Sequence, residues 1–66
     1  MGWPEIVRYD EVQSRLINDG MPVERVMRVV SELRTTPHGG RFRVERAADA
    51  LLFYAMGNGY YRVSSE

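Results

Sequence analysis

Val23, Val26, Val29, Val30 and Leu33 recur at the spacing of one helical face, an arc of about 120° at 100° per residue, and predict an amphipathic helix. Pro22 suits the first turn of that helix, where its missing N–H costs nothing. The breaker-rich run Thr35-Thr36-Pro37-His38-Gly39-Gly40 ends it as a loop. Upstream, Val12, Leu16 and Ile17 form a shorter stripe. Asp10 reads as its N-cap and Gln13 as the partner of a capping box, with Asn18-Asp19-Gly20 as the stop. The segment Trp3 to Tyr9 reads two ways. Pro4 opens the same helix with Ile6 and Tyr9 on its stripe, or Ile6-Val7-Arg8-Tyr9 is extended; the helix is preferred.

Arg41-Phe42-Arg43-Val44 alternates polar and apolar, the pattern of a half-buried strand with both arginines outward. Beyond it, Val44, Ala47, Ala48, Leu51, Leu52, Ala55 and Met56 follow the i, i+3, i+4, i+7 rule and predict a third helix over about residues 45–56. Gly57-Asn58-Gly59 would cap it, and Tyr60-Tyr61-Arg62-Val63 would be a final strand. A rival reading takes Asn58-Gly59 as a hairpin turn between strands 52–56 and 60–64. Ala47, Ala48 and Ala50 favour the helix. The expected fold is α+β, helix–helix–strand–helix–strand and winged-helix-like, in a single domain over residues 1–66.

A chain of 66 residues buries only about 60% of its unfolded surface and typically gains no more than about 3–5 kcal/mol from its core. No cysteine is present to add a disulfide, so a homodimer, through helix three or the last strand, is expected. No apolar run reaches membrane-spanning length and no leader pattern opens the chain, which predicts a soluble, cytoplasmic protein with no membrane partner. The lone histidine, His38, sits in a Pro-His-Gly-Gly turn without a second His or a Cys to share a metal. Gly39-Gly40 lacks the lysine of a phosphate loop. Neither catalysis, nor a metal, nor a cofactor is expected.

Charge changes the picture more than composition does. The net charge is zero, yet residues 1–24 balance to minus three, residues 25–46 to plus four and residues 47–66 to minus one. All nine basic residues are arginine. In the basic middle, Glu24 and Glu32 flank Arg28 at i±4 and are expected to pair with it. That leaves Arg25, Arg34, Arg41, Arg43 and Arg46, with the hydroxyls of Thr35 and Thr36, as candidate phosphate contacts around the Gly39-Gly40 turn.

The first two helices and their Asp19-Gly20-Met21-Pro22 turn have the spacing of a helix-turn-helix. Thr36-Pro37-His38-Gly39-Gly40-Arg41-Phe42-Arg43-Val44-Glu45-Arg46, followed by Asp49-Ala50-Leu51-Leu52, resembles the wing and third helix of MerR-like and excisionase-like winged helix-turn-helix proteins. The resemblance implies a small regulator of duplex DNA, of repressor or excisionase type from a phage or mobile element. Residues 36–43 would then be a wing on the DNA backbone and residues 23–34 a recognition helix. Arg41 and Arg43 would contact phosphates while Arg25 and Arg34 approach the groove.

Trp3, Tyr9, Phe53, Tyr54, Tyr60 and Tyr61 are more rings than so small a core can bury. Phe53, Tyr54, Tyr60 and Tyr61 are therefore candidates for an intermolecular contact. They carry the alternative reading, a protein-binding factor such as a phage-encoded inhibitor of a host or defence complex, acting through an arginine and tyrosine surface.

Overall fold

The structure, a computed structural model, describes residues 2–65; Glu66, counted in the charge balance above, lies outside them. The chain runs β1 (Ile6–Arg8), α1 (Tyr9–Asn18), α2 (Val23–Thr35), β2 (Arg41–Glu45), β3 (Ala50–Gly57) and β4 (Tyr60–Ser65). The four strands form one antiparallel sheet in the order β1-β4-β3-β2. Two helices with a four-stranded antiparallel sheet make a small α+β domain.

The α2 stripe packs as its periodicity requires: Val26, Val29, Val30 and Leu33 are buried. Val23 is the exception, 57% exposed at the first position of the helix and outside the core cluster. Pro22 stands one residue before the helix as its N-cap, and its carbonyl accepts the Val26 N–H at 3.0 Å. In α1, Val12 and Leu16 are buried while Ile17 is exposed. Gly20, at φ +94°, closes α1 with its N–H on the Ile17 carbonyl, a conformation that favours glycine.

Three expectations are corrected. Residues 6–8 are a strand, because Val7 is needed inward against the core while Ile6 and Arg8 face out, a period of two that a helix cannot supply. The α1 N-cap is then Arg8, which makes no capping side-chain bond, and the Asp10 carboxylate accepts the N–H of Glu11 in place of the expected capping box. The largest correction is the third helix, which does not form: residues 50–57 are β3, joined to β4 by the Asn58-Gly59 turn of the rival reading, but in a register that puts Tyr61 and Val63 on the face opposite to Leu52 and Tyr54.

Periods of 3.6 and of 2 both fit residues 44–56 locally, and long-range pairing decides between them. β3 lies between β2 and β4, so both sides of its backbone gain ladder bonds. As a strand it also turns Leu51, Phe53 and Ala55 together into the core. Asn58 (φ 57°) and Gly59 (φ 79°) supply the two left-handed residues that a tight hairpin matching strand twist requires. A bulge at Met56 shifts the register between Ala55 and Gly57. Ala47 and Ala48 are exposed in the β2–β3 connection.

The helices cover one face of the sheet. Phe53 is fully buried at the centre, with Trp3 meeting its ring edge-on at 5.6 Å between centroids. Tyr61 is also inward, and its hydroxyl donates to the Leu33 carbonyl at 2.8 Å, tying β4 to α2. Burial pushes the Tyr61 phenol up from its usual pKa, with Arg34 opposing that shift. Of the two routes foreseen for a dimer, the fold removes the first and narrows the second. The third helix is absent, and β4 is an inner strand, paired to β3 on one side and, over Tyr60–Arg62, to β1 on the other.

Candidate functional site: the open face of the sheet

Strand alternation puts every second side chain on the face that the helices leave uncovered. Register then aligns those side chains across the sheet. Ile6, Arg62, Tyr54 and Arg41 share one row, because Ile6 pairs with Arg62, Arg62 with Tyr54 and Tyr54 with Arg41. Arg8 and Tyr60 form the row on one side; Ser64, Leu52 and Arg43 form the row on the other. With strands about 4.8 Å apart, the α-carbons of Arg41, Tyr54 and Arg62 lie along a line of roughly 10 Å.

This face is basic in a neutral protein. Among the described residues it carries Arg8, Arg41, Arg43 and Arg62 against one carboxylate, Glu45, which pairs with Arg43 at 3.0 Å. The tyrosine rings among them are accessible, Tyr54 at 44% and Tyr60 at 43%. The Arg8 guanidinium stands 6.0 Å from the Tyr60 ring centroid, at the outer limit of a cation–π contact. Ile6 and Met56 add exposed apolar area.

The arginines expected to gather at the Gly39-Gly40 turn divide into separate sets. Arg41 and Arg43 stand on the open face. Arg25 donates to the Glu45 carbonyl at 2.6 Å, and Arg34 stacks over the Tyr9 ring at 5.1 Å. Arg46 is held by three contacts, two to the Asp49 carboxylate at 2.8 and 2.9 Å and one to Asp19 at 2.7 Å. It therefore ties the α1–α2 turn to the β2–β3 connection. Hydrogen bonding to Asp49 raises the Arg46 pKa, and the same bond holds the Asp49 carboxyl below its usual value. The Thr35 and Thr36 hydroxyls both donate to the Glu32 carbonyl, at 3.0 and 2.8 Å, so their protons are already committed to α2.

Arg28 departs from expectation in the other direction. It lies within ion-pair distance of neither Glu24 nor Glu32 among the described residues.

Of the interface candidates, Tyr54 and Tyr60 are on the open face while Phe53 and Tyr61 are buried in the core, which corrects their expected exposure. A helix would have turned Phe53 outward; the strand turns out its neighbour Tyr54. The segment with the wing-like sequence crosses from α2 to β2 and lies bonded to β3. The Gly39 N–H donates to the Ala55 carbonyl and the Ala55 N–H to the Gly40 carbonyl, both at 2.9 Å. Gly40 is required there, since a Cβ would come within 2.9 Å of the Pro37 carbonyl oxygen.

Arg8 and Arg62 were missed by sequence reasoning. The Asn58-Gly59 hairpin alone would set Arg62 opposite Ala55; the bulge at Met56, which no local signal announced, moves it opposite Tyr54, and the helical reading of residues 3–9 hid Arg8. Among the described residues no group of three or more His, Cys, Asp or Glu side chains could hold a metal, and no helix is long and apolar enough to cross a membrane. In comparisons with known proteins, no family model, curated protein or solved structure matches the chain.

Proposed function

We propose that the protein binds nucleic acid, and that it holds a single strand against the open face of the sheet. The observation that carries this reading is the row Arg41–Tyr54–Arg62, with Arg8 and Tyr60 beside it and Arg43 on the other side. Arginines attract the phosphates of an extended strand, and exposed tyrosine rings give unpaired bases a surface on which to stack. Size argues for a strand over a duplex. The outer strands of a four-stranded sheet are roughly 14 Å apart before side chains are counted. The major groove is about 12 Å wide and admits one helix or a two-stranded ribbon.

A duplex read by α2, in the manner of a helix-turn-helix, has less support. The exposed side of α2 mixes Glu24 and Glu32 with its arginines, and Arg25 and Arg34 are already engaged. The exposed Ile6, Met56 and Tyr54 on the open face favour a protein partner as the second reading.

Titration of a labelled single-stranded oligonucleotide and of its duplex, each at low and at moderate salt, separates these readings. The expected result is tighter binding of the single strand, with log K falling against log salt at a slope of up to about −3 for four arginine contacts. Tighter binding of the duplex would return the function to α2, and no binding of either form at low salt would leave the protein partner.

A further inference from the structure

We infer that two copies of this chain associate by pairing β2 with β2 in antiparallel fashion, joining their sheets into one of eight strands. β2 is the five-residue edge of the sheet, while the opposite edge, β1, offers only three residues. The direction of its backbone groups follows from the ladder. The Arg46 N–H bonds to the Asp49 carbonyl and the Ala55 N–H to the Gly40 carbonyl, so the even-numbered residues of β2 exchange bonds with β3. The main-chain groups of Arg41, Arg43 and Glu45 therefore point to the outer edge. The Glu45 carbonyl already accepts from Arg25 there and keeps a second lone pair for a partner's N–H.

The occupant is chosen by the sequence of the edge itself. Arg-Phe-Arg-Val-Glu is self-complementary when reversed about Arg43: Arg41 falls opposite Glu45 of the second copy, twice by symmetry, and Phe42 falls opposite Val44. Placing residue 43 opposite itself matches the odd-numbered outward groups to one another. A shift that puts Arg41 opposite Arg43 would set like charges together. The two central arginines do face each other, but each has Glu45 of its own chain at 3.0 Å to offset its charge. On the helix side, Phe42 is only partly buried and borders a groove lined by Val29, Val44, Arg25, Arg28 and Glu32, which the second copy's Phe42 and Val44 would help to close. The pairing does not depend on the nucleic-acid reading, although it would set Arg41 and Arg43 of both copies on one continuous face.

Sedimentation equilibrium over micromolar to millimolar concentration tests this on the full chain. The expected result is a reversible species of twice the 7.6 kDa chain mass. Arg43→Pro removes one outward N–H without touching the β2–β3 ladder and is expected to leave a folded monomer. Glu45→Arg and Arg41→Glu, each alone, place like charges opposite and should weaken association about tenfold, while the double variant Arg41→Glu/Glu45→Arg restores it. The double reversal carries the test should Arg43→Pro fold poorly. A wild-type chain that stays monomeric at millimolar concentration overturns the inference. So does a dimer indifferent to Arg43→Pro, or single reversals that the double variant fails to rescue.

Discussion

The two faces of the sheet are built from the same strands, one residue out of phase. Phe53 and Tyr61 point inward to α1 and α2; their immediate neighbours Tyr54 and Arg62 point to solvent. Inward residues meet apolar side chains and make the fold, whereas outward ones present charge and accessible rings and make the candidate site. Stability and binding should therefore separate between adjacent positions of one strand, which is a property that a shared helix face would not have.

The sharpest contrast is Phe53 against Tyr54. Phe53→Ala empties a fully buried ring site and is expected to cost about 3–5 kcal/mol, comparable with the whole stability of so small a domain. Urea denaturation should find it largely unfolded even in water. Tyr54→Ala, one residue on, should shift stability by less than about 0.5 kcal/mol yet weaken single-strand binding by about 1–3 kcal/mol, read by titration. If Tyr54→Ala unfolds the protein, or leaves binding unchanged, the division between faces fails.

The second contrast is Tyr61 against Arg62. Tyr61→Phe removes the 2.8 Å hydroxyl donor of the Leu33 carbonyl, which keeps the Thr36 N–H at 3.1 Å, and should cost about 0.5–1.5 kcal/mol in denaturant unfolding, with little effect on binding. Arg62→Ala should leave unfolding unchanged and make the salt slope of single-strand binding shallower by about 0.7. A salt slope unmoved by Arg62→Ala would remove that residue from the site.

The smallest effect belongs to the tie between Arg46 and Asp49, which is structural in both readings. The folded state holds the Asp49 carboxyl below its unfolded pKa, so its contribution is fully present above about pH 4 and is lost as pH falls through the folded value. Asp49→Asn should lower the melting temperature slightly at neutral pH, and the gap from wild type should close in acid. A gap that widens in acid would contradict the assigned direction.

The sequence was legible where a signal is local. Val26, Val29, Val30 and Leu33 meet the same helix face whatever the rest of the chain does, and Gly20 closes α1 by its own backbone freedom. β3 was illegible because its local pattern satisfies two periods at once and the choice is made by partners on either side of it. That single ambiguity also exchanged Phe53 for Tyr54 as the exposed ring. Arg41 and Arg43 could be read as an outward pair from alternation alone. Their meeting with Arg8 and Arg62 could not, because it depends on the pairing of β1 with β4, and one of the two ion pairs that withdraw Arg46 reaches back across the chain to Asp19.

The most direct measurement is amide chemical-shift mapping with a short single-stranded oligonucleotide at low salt. The account predicts that the perturbed amides fall in β1, β2, β3 and β4 around Arg8, Arg41, Tyr54, Tyr60 and Arg62, with α2 quiet. Perturbations centred on residues 23–35, with the strands unmoved, would contradict it.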